Sequence, residues 1–136
     1  MQPLVMVVDD EEKVRHYLSR LLEKRGFQVA AAADGQAALS LLAQQEFDIV
    51  LLDVLMPGMD GLSVLNEIKK RKPLTEVIIV TGNASVDIGV TGLQLGAADY
   101  LLKPINLESL FTCMLEALEQ RKFRAAGQDG ASIITG

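Results

Sequence analysis

A buried strand meets a turn-rich loop in the segment Ile49-Val50-Leu51-Leu52-Asp53-Val54-Leu55-Met56-Pro57-Gly58-Met59-Asp60-Gly61. The apolar residues before Asp53 are typical of a parallel strand that is buried on both faces. The run stops at Asp53, and Pro-Gly and Asp-Gly pairs then mark turns. Ligands of parallel α/β sheets bind just outside the carboxyl ends of the strands, which is where Asp53 lies. Because Asp is also common in turns and at helix starts, this segment alone leaves a purely structural role for Asp53 open.

The composition indicates one domain with an aliphatic core. Of the 136 residues, 49% are hydrophobic but only 4% are aromatic. The formal net charge of −5 argues against direct nucleic-acid binding and against binding to an anionic membrane. Cys113 is the single cysteine, which excludes an internal disulfide and a thiolate metal cluster. Because no apolar run approaches the ~20 residues of a membrane span and the N-terminus lacks a basic signal region, we expect a cytoplasmic protein.

Strand-like and helix-like segments alternate along the chain. Apolar runs predict strands at 4–8, 49–53 and 76–80, and weaker strands at 27–32 and 100–102. Helical spacing predicts helices between these strands and another after the last strand; Asp34 is predicted to cap the second helix and Asn106 the last. In the first helix, Tyr17 and Leu18 belong to the predicted apolar stripe. The repeated strand–helix order predicts an α/β fold, a parallel sheet with helices on both faces.

Two segments have weaker patterns. The fourth helix, predicted at about 86–95, contains Gly89 and Gly92, each of which costs ~1 kcal/mol relative to Ala in a helix interior. After Phe123 the sequence becomes polar and Gly-rich. We therefore predict one domain over residues 1–123 and a flexible tail, or the start of a linker, over residues 124–136.

Five polar residues follow or end the predicted strands: Asp9, Asp10, Asp53, Thr81 and Lys103. Because the carboxyl ends of parallel strands share one edge of the sheet, we expect these side chains to converge. Carboxylates that crowd together repel one another and favour a hard cation such as Mg²⁺. A lysine and a hydroxyl nearby would complete a phosphoryl-transfer site, and Asp is a competent nucleophile for an acyl phosphate. Lys103 or Thr81 taken singly fits an ordinary turn; the five together favour a site.

Four longer segments carry a further signal. They are Val7-Val8-Asp9-Asp10-Glu11, Leu52-Asp53-Val54-Leu55-Met56-Pro57-Gly58-Met59-Asp60-Gly61, Val80-Thr81-Gly82 and Gly96-Ala97-Ala98-Asp99-Tyr100-Leu101-Leu102-Lys103-Pro104. Together they resemble the receiver domain of two-component response regulators, over about residues 4–121. The resemblance implies a flavodoxin-like, doubly wound five-stranded parallel sheet with strand order 2-1-3-4-5.

The resemblance also implies a phosphorylation site. Asp53 would accept a phosphoryl group from a sensor histidine kinase or a histidine phosphotransfer protein. Mg²⁺ would be bound by Asp10, Asp53 and the carbonyl of Leu55, with Asp9 acting through water. Such a protein catalyses only its own phosphorylation and dephosphorylation and is not otherwise an enzyme.

Further implied roles concern the response to phosphorylation. Thr81 and Lys103 would contact the phosphoryl oxygens, and Tyr100 would be an aromatic switch that rotates when Thr81 moves. The surface of the fourth helix, fifth strand and fifth helix would then change, and it would bind a second copy of the chain or an effector. The Lys103–Pro104 bond is usually cis in this family.

Two residues of the pocket are less standard for the family. Leu55 and Asn83 stand where receivers vary and where the rate of dephosphorylation is tuned. Because a leucine cannot orient water, we expect the phosphorylated form to decay slowly.

Three other functions share part of this pattern. A phosphatase of the haloacid-dehalogenase class has a second Asp two residues after the nucleophile, where this chain has Leu55. A flavodoxin-like cofactor binder needs a phosphate-binding loop after the first strand, but Asp9-Asp10-Glu11-Glu12 would repel phosphate. A receiver that only docks partners, without phosphoryl transfer, is disfavoured by the intact set of Asp, Thr and Lys.

Overall fold

A computed structural model of the chain describes residues 2–82 and 86–134. Its centre is a parallel sheet of five strands: β1 (Leu4–Val8), β2 (Gln28–Ala32), β3 (Ile49–Leu52), β6 (Glu76–Thr81) and β7 (Asp99–Leu102). They lie side by side in the order β2-β1-β3-β6-β7, which is 2-1-3-4-5 when the strands of this sheet alone are counted along the chain. Every residue of the central strands β3 and β6 is buried, as their continuous apolar runs predict. The predicted α/β fold and the strand order 2-1-3-4-5 are confirmed.

Helices cover both faces of this sheet. They are α1 (Glu12–Lys24), α2 (Gly35–Gln44), α3 (Gly61–Arg71), α4 (Val86–Gln94) and α5 (Leu107–Ile134). On one face α1 and α5 bury Leu18, Leu22, Leu110 and Met114 against the sheet. On the other face α2 and α3 supply the buried residues Ala38, Leu42, Val64, Leu65 and Ile68, and α4 packs beside them. Two hydrophobic layers therefore fix the sheet.

Side-chain caps begin three of the helices where the sequence has Asp or Asn. Asp34 and Asn106 accept hydrogen bonds from backbone N–H groups three residues later, as predicted. Asp60 caps α3 through the N–H and hydroxyl groups of Ser63. One prediction for α1 is wrong: Tyr17 is 58% exposed, although its spacing assigns it to the buried stripe.

A small hairpin follows β3 and was not predicted. Its strands, β4 (Leu55–Met56) and β5 (Met59–Asp60), pair antiparallel across a turn in which Gly58 has a φ of +70°. Gly61 is required for close packing, because a Cβ there would overlap the backbone of Val54. The hairpin therefore holds Leu55 directly beside the end of β3.

The two glycines of α4 allow this helix to lie close to the sheet. A Cβ on Gly92 would overlap the Cδ1 atom of Ile79, and one on Gly89 would lie 3.3 Å from the ring of Tyr100. The glycines lower the stability of α4 as a helix, but they let it approach β6 and β7 closely.

Helix α5 is longer than the sequence predicts. It continues to Ile134, whereas the Gly-rich composition predicts a flexible tail from residue 124. Just before this extension, two ion pairs hold the helix to the amino edge of the sheet: Arg121 with Asp48 at 3.1 Å and Arg124 with Glu76 at 2.7 Å. Where the domain ends along the chain stays a prediction. None of the helices in the described residues combines the length and the apolarity that crossing a membrane requires.

Candidate functional site

The strand-end residues lie together at the carboxyl edge of the sheet. Asp9 follows β1, Asp53 follows β3, Thr81 is the last residue of β6 and Lys103 follows β7. The Nζ atom of Lys103 lies 2.6 Å from Oδ2 of Asp9 and 3.1 Å from Oδ2 of Asp53. Its backbone N–H donates to the carbonyl of Thr81 at 2.8 Å, which joins the ends of β6 and β7. The Lys103–Pro104 bond is cis.

The three aspartates form one acidic cluster. Carboxylate oxygens of Asp9, Asp10 and Asp53 all lie within 4.8 Å of one another. Asp9 and Asp53 are buried, whereas Asp10 is exposed. Lys103 cannot neutralise three carboxylates, and a set of oxygen ligands suits a hard divalent cation such as Mg²⁺. The residues present therefore fit such an ion.

Asp53 is held by its own backbone surroundings. Its N–H donates to the carbonyl of Val8 at 3.0 Å, and its Oδ1 accepts from the N–H of Leu55 at 2.9 Å. This second bond forms an Asx turn, so Asp53 has part of the purely structural role that the sequence left open. Asp53 does not cap α3, however, because Asp60 does. Its other oxygen faces Lys103 and the acidic cluster.

Asp9 has both carboxylate oxygens engaged. Oδ1 accepts from the N–H of Glu11 at 2.9 Å and Oδ2 accepts from Lys103. Its backbone carbonyl accepts a hydrogen bond of 2.8 Å from Nη1 of Arg15, on α1. Sequence reasoning did not include Arg15 in the site, because a long side chain that contacts a backbone carbonyl leaves no pattern in the sequence.

Burial and ion pairing act in opposite directions on the pKa values in this cluster. Burial raises the pKa of Asp53, and hydrogen bonds from Leu55 and Lys103 only partly counteract it. Burial by itself lowers the pKa of Lys103, but the carboxylates of Asp9 and Asp53 outweigh that effect and raise it. The raised pKa of Lys103 therefore keeps it a cation beside Asp53, whose pKa is also raised.

The remaining predicted residues lie around this cluster. Thr81 is fully buried, and the side chain of Leu55 is 44% exposed. Tyr100 lies on β7, half-buried, with its ring against Gly89 of α4. Asn83 lies outside the described residues.

A doubly wound parallel sheet with clustered aspartates and a lysine at its carboxyl edge defines a signalling domain of the receiver class. The family described as response regulator receiver domain matches residues 5–115, and the chain belongs to this family. It is thus a receiver domain of two-component response regulators, as the motifs predict.

Named relatives and solved structures agree with this assignment. The response regulator NtrX-like of Rickettsia bellii (strain RML369-C) is 38% identical over 132 residues, 96% of this chain and 28% of that protein. A response regulator receiver domain protein from Clostridium thermocellum has a TM-score of 0.84 at 31% identity, covering 89% of this chain and 98% of that one. NtrX from Brucella abortus has a TM-score of 0.89 at 30% identity, covering 95% of this chain and 30% of that one. The chain thus spans less than a third of its NtrX-type relatives.

Proposed function

We propose that Asp53 is the phosphoacceptor of this receiver. The observation that carries the proposal is the buried carboxylate of Asp53, which contacts Lys103 inside a cluster of three aspartates. An oxygen of Asp53 would attack the phosphorus of a phosphohistidine, forming an O–P bond as the P–N bond breaks. The imidazole of the donor, a sensor histidine kinase or a phosphotransfer protein, leaves with the electron pair of the broken bond.

Lys103 and Thr81 would act on the transferred group. Lys103 reaches both buried carboxylates, so its ammonium is placed to meet phosphoryl oxygens on Asp53. Thr81 ends the neighbouring strand and would donate its hydroxyl to another phosphoryl oxygen. These contacts hold the group in line with the attacking oxygen.

Asp10, Asp53 and the carbonyl of Leu55 would hold Mg²⁺, with Asp9 acting through water. An indirect role suits Asp9, because Lys103 pairs more closely with its carboxylate, at 2.6 Å, than with that of Asp53, at 3.1 Å. The exposed carboxylate of Asp10 is free to approach an ion from solvent. When bound, the ion would neutralise charge on the transferred oxygens.

Phosphorylation would be read out by one surface, formed by α4, β7 and α5. Movement of the Thr81 hydroxyl toward the phosphoryl group would make room for Tyr100 and repack this surface. Val90, Leu93 and Leu102 are each about half exposed there, a set of apolar side chains suited to a second copy of the chain or an effector. We further propose a cytoplasmic location and no direct contact of this chain with nucleic acid, in keeping with its net charge of −5.

Labelling tests the phosphoacceptor. Acetyl phosphate with Mg²⁺ should phosphorylate the chain, and beryllofluoride with Mg²⁺ should occupy the same site. Asp53→Asn should abolish both, whereas Asp34→Asn, which keeps a good helix cap, should be labelled like the parent. Label that persists in Asp53→Asn would refute the assignment. A parent chain that takes up no phosphoryl group from acetyl phosphate or from any kinase would favour a receiver that only docks partners.

A further inference from the structure

Arg15 makes a contact with the acidic cluster that its sequence position does not suggest. It belongs to the first part of α1 and is half-buried. Its Nη1 atom donates to the backbone carbonyl of Asp9, six residues earlier, at 2.8 Å. The side chain thus runs back along the helix to the end of β1.

This contact closes the turn that carries Asp10. The N–H of Asp9 is fixed by the carbonyl of Ala32, and its Oδ1 is fixed by the N–H of Glu11. Glu11 is the N-cap residue of α1 but makes no capping hydrogen bond with its side chain. The Arg15 guanidinium therefore links α1 to the turn by donating to a strand-end carbonyl, which it satisfies.

The position of Asp10 depends on this turn. Asp10 is the exposed member of the acidic cluster, and it lies between the residue that Arg15 holds and the N-cap of α1. Two strand-end carboxylates, of Asp9 and Asp53, are fixed by Lys103, but Lys103 makes no contact with Asp10 among the described atoms. The backbone of the turn is thus what places the Asp10 carboxylate near the other two.

We infer that Arg15 is a positioning residue for a divalent-cation site at Asp10 and Asp53, acting through the carbonyl of Asp9. The inference rests on the proposed function and deepens it. Groups that orient metal ligands from behind commonly change metal affinity 10- to 100-fold when removed.

The charge of Arg15 and its hydrogen bond predict opposite changes in Mg²⁺ affinity when Arg15 is replaced. A guanidinium beside a cation site repels the cation, so loss of the charge alone would tighten Mg²⁺ binding. Loss of the hydrogen bond would loosen the turn and weaken Mg²⁺ binding. The direction of the change therefore separates the two roles.

Titration of the unphosphorylated chain with Mg²⁺ alone, followed by calorimetry, tests the inference. Arg15→Met keeps the aliphatic stem, and we expect it to bind Mg²⁺ about 10-fold more weakly than the parent. Arg15→Lys keeps the charge and one possible donor, and its affinity should lie between the two. Arg20→Met is the matched control, since Arg20 is an exposed arginine on the same helix, and its affinity should equal that of the parent.

A second readout needs no metal. In EDTA the amide of Glu11 should exchange with solvent faster in Arg15→Met than in the parent, while amides in the middle of α1 exchange equally. Equal protection of Glu11 in both chains would overturn the inference, as would unchanged or tighter Mg²⁺ binding by Arg15→Met. If the Met variant does not fold, Arg15→Lys decides: about 3-fold weaker binding is expected, and unchanged affinity overturns the inference.

Failure of the inference differs from failure of the proposed function. If the parent binds Mg²⁺ and is labelled at Asp53 but Arg15→Met behaves like it, only the role of Arg15 is wrong. If the parent neither binds Mg²⁺ nor accepts a phosphoryl group, the proposed function is wrong and the role of Arg15 falls with it.

Discussion

Asp53 carries a stability cost that its chemistry requires. It is a buried carboxylate that shares a small space with Asp9 and Asp10. Two unit charges about 4 Å apart repel by roughly 4 kcal/mol at an effective dielectric constant near 20, and Lys103 offsets only part of this. The acidic pocket is therefore strained unless a cation is bound.

Asp53→Asn should stabilise the metal-free protein. The amide keeps the shape of the side chain and can still accept from the N–H of Leu55. We expect the free energy of unfolding at pH 7 in EDTA to rise by roughly 1–3 kcal/mol. Millimolar Mg²⁺ should narrow the gap, because it stabilises the parent more. Urea unfolding of both chains with EDTA and with Mg²⁺ measures this; a less stable Asn variant in EDTA would mean that Asp53 is mainly a structural acceptor.

The difference in stability between the parent and Asp53→Asn should depend on pH. Burial raises the pKa of Asp53 above its unfolded value, so the folded chain binds more protons between the two values. The stability that comes from this extra proton affinity of folded Asp53 is present below the unfolded pKa and is lost as pH rises through the folded pKa. The advantage of Asp53→Asn should therefore grow as pH rises from about 4 and become constant once Asp53 is ionised. An advantage that shrinks over this range would contradict the raised pKa.

Cys113 should be an unreactive thiol. It donates to Oδ2 of Asp99 at 3.0 Å, and burial together with this carboxylate raises its pKa to about 12. At pH 8 the thiolate fraction would be on the order of 10⁻⁴, so reaction with Ellman's reagent should be roughly 1000-fold slower than in the unfolded chain. Asp99→Asn should speed the reaction only partly, since burial is the larger cause. Rapid labelling of the folded parent at pH 8 would contradict this expectation.

At the scale of secondary structure, α4 should be the weak helix of the domain. Its sheet-facing positions include Gly89 and Gly92, which bury no side chain. We expect amides of residues 86–94 to exchange faster than those of α1 in the unphosphorylated protein, and beryllofluoride with Mg²⁺ to slow them. Hydrogen exchange with mass spectrometry measures both effects. Protection in α4 equal to that in α1 would count against a mobile switch surface.

Regular elements were predictable because their patterns are local. The apolar runs of β1, β3 and β6 and the caps at Asp34 and Asn106 depend on residues close in sequence, and strand ends that share an edge brought the candidate aspartates together. The hairpin β4–β5 was missed because strands of two residues carry no periodicity.

Other features depend on partners that are distant in sequence. The sequence shows only that Gly92 lowers the stability of a helix. The structure shows that Ile79 lies so close to Gly92 that no side chain fits there. The ion pairs of α5 with Asp48 and Glu76, at the far edge of the sheet, likewise leave no pattern in the sequence. The length of α5 was underestimated because the Gly-rich composition after Phe123 favours a tail. Roles of the site residues follow from the family resemblance rather than from periodicity.

On the scale of the whole molecule, the two edges of the sheet carry different electrostatic tasks. The carboxyl edge gathers acids around Lys103, which leaves charge for a ligand to neutralise. The amino edge pairs its acids with α5, and Glu76 there is fully buried, with its Oε2 lacking a hydrogen-bond partner in the described part of the chain. Arg124 donates a hydrogen bond to this buried carboxylate and Lys69 adds a nearby positive charge, so Arg124 should be important for stability.

Arg124→Ala should destabilise the domain by about 2 kcal/mol, because it removes the only hydrogen-bond donor that the described residues offer to the buried carboxylate of Glu76 and leaves Lys69 as the nearby positive charge. Adding Glu76→Gln to Arg124→Ala should restore much of the loss, since the buried charge is removed. Arg71→Ala is the control: it breaks an exposed pair with Glu67 and should cost no more than about 0.5 kcal/mol. Urea unfolding in one buffer compares the variants; equal effects of Arg124→Ala and Arg71→Ala would show that the buried pair adds nothing.

Helix α5 continues beyond Arg124, and a regular helix sets both a distance and a rotation between its two ends. From Arg124 to Ile134 the axis advances about 15 Å at 1.5 Å per residue, and each residue turns it by about 100°. A domain joined rigidly at residue 134 would inherit both its distance and its rotation from ion pairs at the amino edge of the sheet. One residue inserted after Arg124 would turn such a domain by about 100°, whereas four residues would turn it by about 400°, which is about 40° from its original orientation. In a fusion protein, α5 would therefore set the rotation as well as the distance between this domain and the domain joined to it.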